Sequence, residues 1–202
     1  MASAATPYGL KPVKRFDGLP YAGATTTYLI DPAGESTNIY TGSIVILGAD
    51  GYVAISTATG SDTTTNNLGG SSIGALGVFM GCSYENAFGR QYANYYPSGQ
   101  NYNSTKIEAY VVDDPFVLFQ AQLDGTCTQT IIGTNTLLPT VQSTSTGSTA
   151  TGLSNTALDA TVQTTTSAFR IVAHVSPASD DYVDVLVAFN ALGHRYTNSV
   201  GL

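Results

Sequence analysis

Short apolar runs separated by turn residues are the feature that most restricts the fold of this chain. Lys106–Gln122, with the sequence KIEAYVVDDPFVLFQAQ, contains two such runs on either side of an Asp-Asp-Pro sequence at 113–115. β-Branched and aromatic residues favour strands, whereas Asp-Asp-Pro is typical of a turn or corner. The second run begins with Phe116–Phe119, which is apolar on both faces. This pattern predicts a central strand that is covered on both sides.

Similar runs recur along the chain and predict an all-β protein with an antiparallel β-barrel or sandwich core. An Asp50-Gly51 pair supplies the backbone conformation that a tight hairpin needs. No segment has the periodicity of a helix of normal length. Strands are expected at Thr25–Ile30, Ser43–Leu47, Tyr52–Ser56, Ile73–Tyr84, Ser167–Val175 and Asp181–Asn190.

Composition divides the chain into a β core and three other segments. Residues 1–23 contain Pro and Gly at intervals that exclude a helix or a central strand, so an extended N-terminal arm is expected. Residues 125–168 are rich in Thr and Ser and contain no aromatic residue, which indicates a projecting insertion or small β subdomain. The core then comprises residues 24–124 and 169–192, and residues 193–202 form a C-terminal tail.

Two segments combine aromatic with cationic residues and are candidates for protein–protein contact. We expect the arm to dock on a neighbouring, acidic copy, with a frayed terminus as the alternative. The segment 88–103, FGRQYANYYPSGQNYN, predicts an exposed contact loop, with rings that cap one end of the barrel as the alternative. The candidate interface residues are Tyr8, Lys11, Lys14, Arg15, Phe16 and Tyr21 in the arm, and Phe88, Arg90, Tyr92, Tyr95 and Tyr96 in the loop.

The sequence contains no assembled catalytic set. Gly70–Gly74 matches G-x-S-x-G, but a polar loop precedes the serine where a hydrolase elbow needs a strand. His174 and His194 are the only histidines, and a structural role is expected for His174. A glycosidase pair formed by Glu108 and Asp113 has no support from their spacing. We therefore predict that the protein is not an enzyme.

Metal, cofactor, nucleic-acid and membrane binding are also not expected. Asp113-Asp114 and Asp180-Asp181 with Asp184 lack the alternating spacing of a cation-binding loop. A net charge of −7 disfavours nucleic acid, and no apolar run is long enough to cross a bilayer. The N-terminus has no signal-peptide pattern, so synthesis in the cytoplasm without export is expected. Cys82 and Cys127 follow no metal or redox pattern and are expected to be small buried side chains.

Only 10% of the residues are charged, and the chain has 13 Tyr but no Trp. This composition is typical of surfaces that contact protein. Gly42–Ser56 (GSIVILGADGYVAIS) followed by Ile73–Gly81 (IGALGVFMG) resembles the capsid decoration or cement proteins of tailed bacteriophages. Thr6–Gly18 (TPYGLKPVKRFDG) and Tyr110–Gly125 (YVVDDPFVLFQAQLDG) also resemble virion structural proteins of marine or freshwater phages.

The resemblance implies a non-enzymatic protein on the outer surface of the capsid, in the virion. Its implied partners are the major capsid protein and further copies of itself, most often as a trimer that clamps neighbouring capsid subunits together. The resemblance does not cover residues 125–168. A neck, tail or adaptor component is one alternative, and a carbohydrate-binding β-sandwich is another. The absence of Trp, usually the best platform for a sugar, counts against the second.

Overall fold

The computed structural model describes residues 4–59, 74–99, 102, 106–139, 142 and 147–197. These residues form an all-β fold in which antiparallel sheets are arranged as a sandwich, and they close no barrel. Two single 3-10 turns, Gln129–Ile131 and Ala191–Gly193, are the only helical segments of this part of the chain. The strands are β1 (Lys11–Arg15), β2 (Thr26–Ile30), β3 (Ile39–Tyr40), β4 (Ile44–Leu47), β5 (Val53–Ile55), β6 (Gly77–Asn86), β7 (Gly89–Ala93), β8 (Tyr95–Tyr96), β9 (Ile107–Val112), β10 (Val117–Gln122), β11 (Asn135–Thr136), β12 (Phe169–His174) and β13 (Asp184–Phe189).

The strands form two main sheets and one short ribbon. The first sheet has the order β1-β10-β13-β12-β11, and the second has the order β2-β9-β6-β4-β5, with β7 paired to the far end of β6. The ribbon consists of β3 and β8. All of these strand pairs are antiparallel, as the hairpin-rich sequence predicts.

The second sheet is apolar on both faces because it separates two apolar clusters. Val78 on β6 packs with Phe119 and Val185 of the first sheet, inside the sandwich. Its neighbour Phe79 points to the other face and packs with Tyr96 of the short ribbon. Successive side chains of a strand point to opposite faces, so β6 must be apolar at both positions. The continuous apolar run at Gly77–Phe79 meets this requirement.

The Asp-Asp-Pro turn sends the two runs of the 106–122 stretch into different sheets. Strand β9 is the second strand of one sheet, and β10 is the second strand of the other. Val117, Leu118 and Phe119 are all buried, so the prediction of a strand covered on both sides is confirmed for these residues. It is wrong for Phe116, which lies in the turn and is 57% exposed.

The hairpin at Asp50-Gly51 and the other strand predictions are also confirmed. Strands β4 and β5 pair in antiparallel register, and Gly51 has φ +81°, the conformation that the tight turn requires. Each of the other expected strands is present within a few residues of its predicted bounds. Residues 70–73, which contain most of the G-x-S-x-G match, lie outside the described residues.

The N-terminal segment supplies an edge strand and a core residue to the sandwich. Strand β1 pairs with β10 at the edge of the first sheet, where Pro12 is tolerated because an edge strand has one unbonded side. The chain then folds back, and the N–H of Tyr21 donates to the carbonyl of Val13 at 3.0 Å. Leu10 is buried in the sandwich core. The expectation of a neighbouring copy as the docking partner of this segment stays a prediction.

The Thr/Ser-rich segment contributes to the core, which differs from the expectation that it projects outward. Leu138, Leu158 and Ala168 are buried in the same cluster as Phe119. Backbone hydrogen bonds hold this segment to the sheet, including one from the N–H of Leu158 to the carbonyl of Gln122 at 2.9 Å. The scattered aliphatic residues of this segment are therefore part of the sandwich core.

Candidate protein interaction surfaces

An exposed apolar surface lies at one end of the first sheet, where two turns meet. Phe16 is 54% exposed, Leu19 is 60% exposed and Phe116 is 57% exposed. The N–H of Phe16 donates to the carbonyl of Phe116 at 3.0 Å, so the two phenylalanines are neighbours in space although they are far apart in sequence. We refer to Phe16, Leu19 and Phe116 as the apolar tip.

Short-range hydrogen bonds define both turns of the apolar tip. In the first, Asp17 Oδ1 accepts from the N–H of Leu19 at 3.0 Å; in the second, Asp114 Oδ1 accepts from the N–H of Phe116 at 2.9 Å. Arg15 joins the turns, because its guanidinium contacts Asp114 at 2.5 Å and Asp17 at 3.4 Å. The apolar tip therefore has a rim of paired charges, an arrangement common at protein interfaces.

A second exposed surface is the hairpin formed by β6 and β7. Phe88 at its turn is 91% exposed, and Tyr92 on β7 is 72% exposed. The guanidinium of Arg90 lies over the Tyr92 ring, 5.6 Å from its centroid, and pairs with Glu108 on β9. Glu108 also contacts Lys106 at 2.6 Å, and this ammonium group holds the pKa of the Glu108 carboxyl below its usual range.

The prediction of a loop at 88–103 is wrong for the part of this segment that forms strand β7. Residues 89–93 form a regular strand, and among the remaining positions 100, 101 and 103 lie outside the described residues. Tyr96 is fully buried, and its hydroxyl accepts from the N–H of Glu35 at 3.0 Å. Tyr96 is therefore a core residue, and the prediction that it is a contact residue is wrong. Tyr95 is half-buried, with its ring stacked on Tyr40 at a centroid distance of 5.4 Å.

The other predicted contact residues of the N-terminal segment have mixed environments. Tyr8 is partly buried and donates its hydroxyl to Asp184. Tyr21 packs against the sandwich core and donates to the carbonyl of Ala24 at 2.6 Å. Lys11 is exposed and Lys14 is half-buried, and neither forms an ion pair within the described part of the chain.

A groove opens between the N-terminal segment, β6 and the turn that precedes β4. It encloses about 530 Å³ and is mainly apolar. At the groove the backbones of Gly9 and Gly42 cross so closely that a Cβ on Gly9 would lie 2.6 Å from the Gly42 carbonyl oxygen. A second cavity of about 490 Å³ continues from it past Tyr8 and Leu153. We use the name groove for the first cavity only. The residues that line it are Tyr8, Leu10, Lys11, Thr41, Gly42, Met80, Gln120 and Leu153.

Sequence reasoning identified Phe16 but missed Leu19, Phe116 and the whole groove. Phe116 follows a proline in a turn, and this position was a signal that it would leave the strand. The groove had no comparable signal, since its lining comes from five separate parts of the sequence.

The histidines occupy structural positions. His194 is fully buried: its Nδ1 accepts from the N–H of Tyr196 at 3.2 Å, and its ring meets Phe189 edge-on at 5.2 Å. Burial lowers the pKa of His194 to about 4, although Asp113 and Asp114 oppose this effect. His174 Nδ1 lies 3.9 Å from Cys127 Sγ, and His174 Nε2 has no hydrogen-bond partner among the described residues.

Asp113 and Asp184, two of the acidic residues considered as metal ligands, are engaged in hydrogen bonds. Asp113 accepts from Thr26 and Tyr28, and Asp184 accepts from Tyr8 and Gln120. Within the described ranges, no three His, Cys, Asp or Glu side chains come together as metal ligands would. Cys82 is buried and Cys127 is partly exposed, and both are free thiols. Burial raises the pKa of Cys82 to about 12.

None of the helical segments described is long and apolar enough to span a membrane. Comparison of the chain with protein-family models, with curated proteins and with solved structures found no match to any of them.

Proposed function

We propose that this chain is a non-enzymatic virion structural protein of a tailed bacteriophage. In this proposal it is a capsid decoration or cement protein, which binds the outer surface of the head and stabilises contacts between major capsid subunits. The observation that carries the proposal is the apolar tip, where Phe16, Leu19 and Phe116 are each more than half exposed.

The physical argument rests on the cost of leaving such side chains in water. Contiguous exposed apolar side chains with a polar rim are typical of protein-binding sites. Because the apolar tip lies on hydrogen-bonded turns at the end of a sheet, it loses little conformational entropy on binding. Arg15 and Asp17 at the rim supply charges of both signs that would select one orientation of the partner.

The low charge content agrees with this role. A cement protein must present several contact surfaces, and the apolar tip and the β6–β7 hairpin lie on different sheets. Only 10% of the residues of the chain are charged, so its polar groups are mainly uncharged ones, which form hydrogen bonds without the desolvation cost of charged groups.

The first test is the copy number of the protein in purified virus particles, measured by quantitative mass spectrometry against the major capsid protein. A ratio near one supports a decoration protein on the whole shell. A ratio that fits only one small ring would place the protein at the neck or tail. Complete absence from the particle would overturn the proposal and favour the carbohydrate-binding alternative.

The second test is attachment of purified variants to heads that lack the protein. Phe16→Ser and Phe116→Ser should each weaken attachment by about tenfold or more, because exposed aromatic anchors contribute most at interfaces. Val175→Ser is the matched control, since Val175 is also exposed but lies beside Asp184, at the other end of the sheet. Equal attachment of all three variants would show that the apolar tip is not the binding surface.

A further inference from the structure

We propose that copies of this chain bind one another through Phe88 of one copy and the groove of the next. Two different surfaces meet in this contact, so it is head-to-tail. It goes beyond attachment to a capsid, because it needs no other protein and can be measured on the purified chain alone.

Phe88 is exposed on a turn whose backbone is held by a hydrogen bond, as suits a binding anchor. It is the most exposed large apolar side chain of the described residues, at 91%. Asn86 Oδ1 accepts from the N–H of Phe88 at 2.9 Å, and Gly89 turns the chain with φ +95°. The backbone of this short turn is already held in one conformation, so entry of the ring into a pocket requires no ordering of the loop.

The groove has the size and the lining to receive this ring. Leu10, Met80 and Leu153 supply apolar walls around about 530 Å³. An apolar cavity of roughly 150 Å³ is enough to hold a benzene molecule. The groove therefore has room for the Phe88 ring together with part of the hairpin backbone.

The Phe88 side chain of the same copy cannot fill the groove. Met80 lies in the groove and belongs to β6, and Phe88 follows eight residues later at the turn after that strand. Strand β6 continues for six residues beyond Met80, and at about 3.3 Å for each residue this part of the strand alone places the turn roughly 20 Å from Met80. A second copy must supply the ring.

Charge complementarity supports the choice of a second copy as the occupant. Lys11 lines the groove and has no ion pair with any described residue. Glu85 lies on the hairpin, three residues before Phe88. It also has no ion pair with any described residue, because its cross-strand neighbour Arg90 is bonded to Glu108. When Phe88 enters the groove, Glu85 can approach Lys11 at the rim. Such a pair fixes orientation more than it adds affinity.

Contacts between two different surfaces close into a ring when the rotation between copies allows it. The inferred contact is therefore compatible with a cyclic oligomer such as a trimer. It does not require a two-fold axis.

Sedimentation velocity of the purified protein over a range of concentrations tests this inference. The wild-type chain should self-associate, and Phe88→Ser should raise the dissociation constant by about tenfold or more. Lys11→Glu and Glu85→Lys should each weaken association, and the double variant that carries both should recover most of it. Lys14→Glu is the matched control, because Lys14 is an unpaired lysine on the same strand that does not line the groove.

A photo-crosslinking amino acid at position 88 identifies the surface that Phe88 touches. Crosslinks between copies should map to residues that line the groove, among them Leu10, Lys11, Met80 and Leu153. Circular dichroism shows whether each variant remains folded. A wild-type chain that is monomeric at every concentration, crosslinks to another surface, or failure of the double charge variant to recover association would overturn the contact as proposed.

Discussion

The hydroxyl of Tyr8 donates a hydrogen bond to Oδ1 of Asp184, with 3.0 Å between the two oxygens. This bond joins the N-terminal segment to β13, the last strand of the fold. Gln120 of β10 donates to the other carboxylate oxygen of Asp184 at 3.2 Å. Burial, followed by the charge of Asp184, raises the pKa of Tyr8, so the phenol remains a donor over the whole ordinary pH range.

Tyr8→Phe should lower the free energy of unfolding by about 1 to 2 kcal/mol, because a hydrogen bond to a charged group is lost and the ring is kept. Urea denaturation measures this change. Tyr92→Phe is the control, and because the Tyr92 side chain is mostly exposed, its effect should stay within about 0.5 kcal/mol. Equal stability of the two variants would mean that water replaces the Tyr8 bond without cost.

His194 should make the protein less stable in mild acid. Its pKa is about 4 in the folded chain and about 6.5 in an unfolded one. The unfolded state therefore binds more protons between these values, and stability falls as the pH drops from about 6.5 towards 4. The full difference amounts to about 3 kcal/mol.

Urea denaturation between pH 7.5 and pH 4 checks this prediction when wild type is compared with His194→Gln. The variant loses packing against Phe189 at every pH, so the quantity of interest is the difference in pH dependence. The variant should have the weaker dependence below pH 6.5. Parallel curves for the two proteins would contradict the assignment of a depressed pKa to His194.

Two leucines of the Thr/Ser-rich segment test its role in the core. Leu158 is fully buried in the sandwich cluster, whereas Leu153 is partly exposed at the groove. Leu158→Ala should cost about 2 to 5 kcal/mol of unfolding free energy, as large-to-small changes in a core do. Leu153→Ala should cost less than about 1 kcal/mol. Thermal unfolding of both variants provides the measurement, and a small effect at Leu158 would mean that the segment opens independently of the core.

The candidate contact residues were only partly predictable. Aromatic residues among Gly, Asn and Pro indicated a contact surface, yet the same pattern covers exposed Phe88 and buried Tyr96. The two differ because Phe88 lies in a hairpin turn, whereas Tyr96 belongs to a strand that covers the second sheet. Tyr96 could not be assigned to the core before the pairing of β3 with β8 was known, and Phe88 could not be assigned to a turn before the pairing of β6 with β7 was known.

The amino-acid sequence by itself determined the strands and their turns. Alternating and continuous apolar runs, the Asp50-Gly51 hairpin and the Asp-Asp-Pro corner act over a few residues, so their outcome depends only on local backbone and solvation energies. The tertiary structure decided which sheet each strand joined. It brought Phe16 beside Phe116, drew Leu158 into the core and assembled the groove from Leu10, Met80 and Leu153. These contacts join distant parts of the chain, and their energy is gained only when both sheets are packed.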